Sequence, residues 1–221
     1  MTTTSTAVSV EAERNAKLDA DLLLPDVANS IVLFVHGSGS GRASPRNRHV
    51  ADVLYDRGIA SLLVDLLTPH EQRVDQDTFH LRFDIPLLAR RVIGAIDWLT
   101  EQPRTRGLHI GLYGASTGAS GALVAAADRP DEVRAVVSRG GRPDLAGDRL
   151  PQIRCPVLLI VGSQDPDVLR INRLAEETLR CPVILTVIPG ASHLFEEPGT
   201  LEQAGKAAAE WYEKYLLGME D

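Results

Sequence analysis

The stretch that most constrains the fold is Gly114-Ala115-Ser116-Thr117-Gly118. It is a full match to G-x-S-x-G, set between an apolar, strand-like run (108–113) and an alanine-rich helical pattern (119–127). A serine hydroxyl is a weak nucleophile near neutral pH, so it must be exposed at a fixed angle beside a base and oxyanion donors. A sharp strand-to-helix turn does this, but it crowds the backbone around the serine. Gly114 and Gly118 stand where small residues relieve that crowding. The motif therefore demands strand, tight turn and helix in succession, within a sheet that the rest of the chain must supply.

The run at 31–35 is continuous and apolar, the look of a strand covered on both faces; 59–64 reads as the next buried strand, and 133–137, 157–161 and 183–188 as further strands. Helical periodicity appears over 85–99, 168–179 and 200–217, and Ser44-Pro45 reads as a cap followed by a first-turn proline. Strands alternating with helices from residue 31 onward predict an α/β fold with a mainly parallel sheet and helices on both faces. Residues 7–10 and 18–24 read as peripheral strands of an antiparallel hairpin. Residues 66–83, polar and irregular, read as a long surface loop beside a strand end. The 221 residues suffice for one domain, 1–221, and no linker or long repeat divides it.

Composition narrows the function. Hydrophobic residues make up 44% and charged residues 24%, which is globular and not disordered. With 23 basic against 30 acidic residues, the net charge of −7 disfavours nucleic acid and anionic membranes as main partners, without excluding a local basic pocket. No run approaches the length of a transmembrane span, and the N-terminus shows neither a basic region nor an apolar signal core, so a cytoplasmic protein is expected. Two cysteines occupy an echo, Arg154-Cys155-Pro156-Val157 and Arg180-Cys181-Pro182-Val183, each just before an apolar run. They read as two buried free thiols at strand starts, brought near one another if those strands are neighbours. No metal-type spacing occurs, and no cofactor is called for.

In a parallel α/β sheet the loops at the C-terminal ends of the strands converge, and ligands bind there. This sequence places there, in chain order, His36 to Gly41, Asp65, Ser116, Arg139 with Arg142, Asp165 with Asp167, and His193. Ser116, Asp165 and His193 thus arise in the order of an α/β-hydrolase triad, each immediately beyond a strand. Asp167 is the competing acid, although it lies closer to the start of the following helix. His49, His70, His80 and His109 are scattered and receive no catalytic role.

The segments 36–48, 114–119, 138–145 and 189–198, which include His36-Gly37-Ser38-Gly39-Ser40-Gly41, the Ser116 motif, Ser138-Arg139-Gly140-Gly141-Arg142-Pro143 and Gly190-Ala191-Ser192-His193, carry a family resemblance. The chain resembles an α/β-hydrolase of the dienelactone hydrolase-like branch, and within it the small hydrolase domains sometimes fused to phosphoribosyltransferases. The resemblance implies an α/β-hydrolase fold and cleavage of small ester-type substrates. It departs at the nucleophile: dienelactone hydrolases proper carry cysteine where Ser116 stands, which favours serine-ester chemistry over dienelactone itself. No long insertion between the fourth and fifth core strands supplies a cap domain, so the pocket is expected to be shaped by loops.

The chemistry expected of these residues is acyl transfer to water, with Ser116 as nucleophile, His193 as base and Asp165 orienting it. Oxyanion donors would be the backbone N–H of Thr117 and that of Ser38 or Gly39. Arg46, Arg48, Arg139 and Arg142 lie near the same rim, and either bind an anionic substrate group or pair with acids such as Asp144. Nucleotide binding is the main rival among enzymes and cofactor proteins. It fails on glycine register, since counting G-x-G-x-x-G from Gly37 reaches Arg42 and from Gly39 reaches Ser44. A ligand-binding protein that keeps the triad on a hydrolase scaffold is the remaining alternative.

Overall fold

A computed structural model describes residues 5–218. Among the described residues, eight strands form one sheet, in the order β1-β2-β4-β3-β5-β6-β7-β8, where β1 is Ser5–Glu13, β2 Ala16–Leu23, β3 Ser30–Val35, β4 Ala60–Val64, β5 His109–Ala115, β6 Val133–Arg139, β7 Val157–Gly162 and β8 Val183–Ile188. From β4 across to β8 every pairing is parallel. β1 and β2 form the expected antiparallel hairpin, and β2 joins β4 antiparallel at that edge.

β3, β4 and β7 are buried at every position, as their largely apolar sequences require when both faces are covered. One face packs under α3 (Ile85–Glu101), α4 (Thr117–Asp128) and α5 (Pro166–Thr178), with Leu33, Leu112 and Leu159 meeting Val92, Ile96 and Leu123. The other packs under α1 (Pro45–Tyr55) and α6 (Thr200–Leu216), with Phe34, Tyr113 and Ile160 meeting Leu54, Trp211 and Tyr212. Tyr212, fully buried, donates its hydroxyl hydrogen to the Leu112 carbonyl at 2.7 Å, which fixes α6 on the sheet without an orphaned phenol. Ser44 caps α1 through the Asn47 N–H, and Pro45 opens the helix, as the sequence indicates. No large cap domain is inserted; β6 and β7 are joined by a 3-10 stretch, Pro143–Gln152, kinked at Gly147.

One expectation is corrected. Residues 66–83 are not an irregular loop: they hold α2 (Pro69–Thr78) and a 3-10 turn, Leu81–Phe83. α2 buries only Asp75, so it has no apolar stripe to betray it. Its signal is local. Thr68 and Glu71 form a reciprocal capping box around Pro69, satisfying two orphan amides at the helix start.

The cysteine echo falls in register, because Val157 pairs with Val183 and each cysteine lies two residues earlier. Both thiols are free; Cys155 is buried and Cys181 half-buried. Burial, with the neighbouring Cys181 adding to it, pushes the Cys155 thiol up to about 12, so it stays protonated and inert near neutral pH. No described helix is long and apolar enough to cross a membrane.

Candidate active site

β5 ends in the tight turn that the glycine motif demands. Ser116 adopts φ 52°, ψ −125°, a strained conformation for a residue with a side chain, and α4 starts at the next residue. The glycines answer close approaches: a Cβ on Gly114 would stand 2.4 Å from the Ala119 Cα, and one on Gly118 would stand 2.3 Å from the His36 carbonyl oxygen. The turn is held from β6. The Ser116 N–H donates to the Arg139 carbonyl at 3.1 Å, and the Ser116 carbonyl accepts from the Arg142 N–H at 3.1 Å. An inflexible turn is the physical requirement for aiming a hydroxyl.

The loops after β7 and β8 are tied to each other by the Gln164 N–H donating to the Ala191 carbonyl and the Gly190 N–H to the Ser163 hydroxyl. This brings His193 over Ser116. His193 Nδ1 lies 2.6 Å from Asp165 Oδ2, and Nε2 lies 3.3 Å from Ser116 Oγ. The arrangement that satisfies all three groups puts the imidazole hydrogen on Nδ1, donated to Asp165, and leaves Nε2 to accept from the serine hydroxyl. Asp165 is the N-cap residue of α5, yet its side chain makes no cap bond, being spent on His193 instead. Asp167 sits in the first turn of α5, and it is Asp165 that meets the histidine. The Asp165 side chain is 13% exposed and that of His193 38%, so the ion-pairing end is sheltered while the imidazole is reachable from solvent.

Of the expected oxyanion donors, Thr117 is the first residue of α4 and its N–H is one of the orphan donors of a helix start. The Ser38 N–H is already donated, to Thr117 Oγ1 at 2.9 Å. The loop carrying Ser38 and Gly39 is set by His36, a residue whose role no sequence pattern announces. Its Nδ1–H donates to the Gly37 carbonyl at 2.9 Å, and its Nε2 accepts the Leu66 N–H at 3.1 Å, pinning the loop to the end of β4. Burial holds the His36 pKa below its usual 6.5, with the Gly37 carbonyl and Asp65 opposing. The unfolded chain therefore takes up this proton first. The contribution of neutral His36 to stability is complete above about pH 6.5 and is lost as the pH falls through that value toward the depressed folded-state pKa. Between pH 7.5 and 5 the unfolding free energy of the wild type should fall more steeply than that of His36→Gln, by up to about 1.4 kcal/mol per pH unit. Denaturant midpoints across that range measure the difference, and parallel slopes would count against a buried neutral His36.

The four arginines separate. Arg48 pairs with Asp21 on β2, and Arg142 grips Asp144 in a two-pronged pair at 2.9 and 2.7 Å, so neither points at Ser116. The contribution of Arg142 to the site is its backbone N–H. Arg46 and Arg139 do line the cavity, a space of about 230 Å³ that also touches Ser38, Ser40, Ser116 and His193. A neighbouring cavity of about 350 Å³ lies across the 36–41 loop, bounded by Asp65, Gln72, Asp75 and Arg82.

Comparison with known proteins agrees with this architecture. Two Mycobacterium tuberculosis proteins, both named putative phosphoribosyl transferase, are 55% identical over 197 residues, a match that takes in 89% of this chain but only 44% of theirs. The chain thus spans less than half the length of these curated relatives. The crystal structure of dienelactone hydrolase from Anabaena variabilis superposes with a TM-score of 0.95 at 55% identity, covering 96% of this chain and 98% of that one. Est1E from Butyrivibrio proteoclasticus shares the fold at a TM-score of 0.80 and 17% identity, covering 96% of this chain and 99% of that one. The sequence profile of the Dienelactone hydrolase family matches residues 22–218, and the chain belongs to that family, with its α/β-hydrolase fold.

Proposed function

We propose that this protein is a cytoplasmic serine hydrolase that cleaves small carboxylic esters, lactones or thioesters through an acyl-enzyme on Ser116. The single observation that carries the reading is the chain of contacts from Asp165 through His193 to Ser116, assembled from the ends of three different strands. Ser116 Oγ attacks the carbonyl carbon while its proton passes to His193 Nε2. The same proton then goes to the departing alcohol, leaving the acyl group on Ser116. A water molecule, deprotonated by His193, attacks the acyl carbon, and the serine recovers its proton as the acid leaves. Asp165 keeps the imidazole in the accepting tautomer and stabilises its charged form.

The oxyanion would meet the N–H of Thr117 and of Gly39, with Ser38 contributing once its amide is released by the Thr117 hydroxyl. Est1E has been solved with ferulic acid bound, so a protein of this fold holds a small aromatic acid of the kind that an ester yields. The phosphoribosyl transferase name of the mycobacterial relatives is not carried to this chain, which matches less than half of them. Of the arginines anticipated for an anionic substrate, Arg46 and Arg139 remain.

Incubation with a fluorophosphonate probe, followed by mass spectrometry, tests the reading. A single adduct on Ser116, absent from Ser116→Ala, is expected. Folded protein that takes no label would move the assignment to a ligand-binding protein on a hydrolase scaffold.

A further inference from the structure

The two edges of the sheet are finished differently. β1, at one edge, carries Glu11 and Glu13 and a break in register between them, devices that blunt an edge against further pairing. β8, at the other, reads Val183-Ile184-Leu185-Thr186-Val187-Ile188, with no charge, proline or bulge. Its ladder to β7 is regular: the Val157 and Ser163 N–H groups donate to the carbonyls of Pro182 and Ile188. Parallel pairing then turns the backbone groups of the even-numbered residues toward β7 and those of Val183, Leu185 and Val187 outward. Among the described residues nothing pairs with that outward row. The side chains are uncovered as well. Ile184 is 52% exposed and Val187 36%, one on each face of the sheet.

The helix beside this edge is charged but unpaired. α5 packs on β7 and β8, and its surface carries Arg170 and Arg173 and, one turn on, Glu176 and Glu177. None of these four makes an ion pair among the described residues. Their order also opposes the helix dipole, which favours cations in the last turn, so it lends α5 no stability of its own.

We infer that the β8–α5 edge is a homodimer interface, where two copies join β8 to β8 in antiparallel fashion about a two-fold axis. An axis at Leu185 lets Val183, Leu185 and Val187 exchange both backbone hydrogen bonds with Val187, Leu185 and Val183 of the second copy, which uses the whole outward row. It also sets Ile184 against Thr186 of the second copy. The two α5 helices then run antiparallel side by side, and the arginines of each lie along the acidic last turn of the other. This charge order is complementary to itself, which is why a second copy fits the edge better than an unrelated strand.

Sedimentation equilibrium on the full chain tests this. Wild type should be a dimer at about 10 μM, a concentration that an interface of standard size sustains. Leu185→Pro removes the central outward N–H without breaking a bond to β7, and Ile184→Lys places a charge on the edge. Each should weaken dimerisation by about tenfold or more. Hydrogen exchange reads the register: the amides of Val183, Leu185 and Val187 should exchange slowly in the dimer and quicken on dilution. The charge test does not depend on β8 tolerating substitution. Arg170→Glu/Arg173→Glu makes the helix acidic throughout, and Glu176→Lys/Glu177→Lys makes it basic. Either variant alone should dimerise at least about tenfold more weakly than wild type, and an equimolar mixture should regain a dimer holding one copy of each. A wild type that stays monomeric between about 1 and 100 μM would overturn the inference and leave the edge to a different chain. So would a dimer that none of these variants weakens, which would be built on another face.

Discussion

Ser116→Gly is expected to lose ester turnover, with kcat/KM falling by at least about 10⁴-fold, and yet to melt at a higher temperature than wild type. The two effects have one origin. At φ 52°, ψ −125° the Ser116 backbone occupies a region that a residue with a Cβ enters only at a cost of about 1–3 kcal/mol. The surrounding structure enforces it through the hydrogen bonds to the Arg139 carbonyl and from the Arg142 amide. Glycine adopts the same angles freely and gives back part of the gain, about 0.4–1 kcal/mol, to the greater freedom of its unfolded chain. A net gain of about 1 kcal/mol raises Tm by roughly 2–4 °C in a protein of this size. Ser116→Ala keeps the Cβ and the strain, so it should lose turnover with little change in Tm. Calorimetry on the three proteins beside an esterase assay decides the matter. A glycine variant that melts lower than wild type would mean the turn is not strained, and one that still hydrolyses esters would place the nucleophile elsewhere.

Much of this architecture was legible in the sequence because the rules behind it are topological. Continuous apolar runs separated by helical patterns admit few arrangements other than a covered parallel sheet. Once the strands are in place, the loops leaving their C-terminal ends must converge at one edge of the sheet. Ser116, Asp165 and His193 needed only to be seen as three post-strand residues. The features that stayed hidden are of another kind. The helix Pro69–Thr78 packs almost nothing into the core, so hydropathy is silent there, and the Thr68–Glu71 capping box is its only trace. The four arginines look alike in sequence because a guanidinium at the end of a long, flexible side chain can choose among partners. Arg142 found Asp144 two residues on, and Arg48 found Asp21 on a strand 27 positions earlier. Arg139 differs by strand parity, pointing inward with Val137, a distinction blurred because it lies at the very end of β6, where strand and loop cannot be told apart by pattern. The role of His36 went unread because it is to hold a loop, and nothing in its neighbours' identities announces which backbone groups it will meet.

Asp165→Asn should lower kcat by about 10³–10⁴-fold with the fold intact, whereas Asp167→Asn should change it by less than about twofold. An asparagine at 165 removes the negative charge that stabilises the imidazolium. It also brings an amide donor, which can turn toward Nδ1 and force the imidazole hydrogen onto Nε2, where it blocks acceptance of the serine proton. The structural cost is small. Asp165 contributes to α5 through its backbone, donating to the Gly162 carbonyl and accepting from the Leu169 amide, and its carboxylate caps nothing. The substitution leaves both backbone bonds in place. Asp167 has the opposite profile: its charge sits in the first turn of α5, where the helix dipole makes it worth about 0.3–1 kcal/mol of stability, and His193 is held by its neighbour. Circular dichroism melts with steady-state kinetics on a common ester separate the two residues. The reverse ranking, with Asp167→Asn inactive and Asp165→Asn near wild type, would transfer the acid of the triad to Asp167 and require the β7 loop to rearrange when substrate binds.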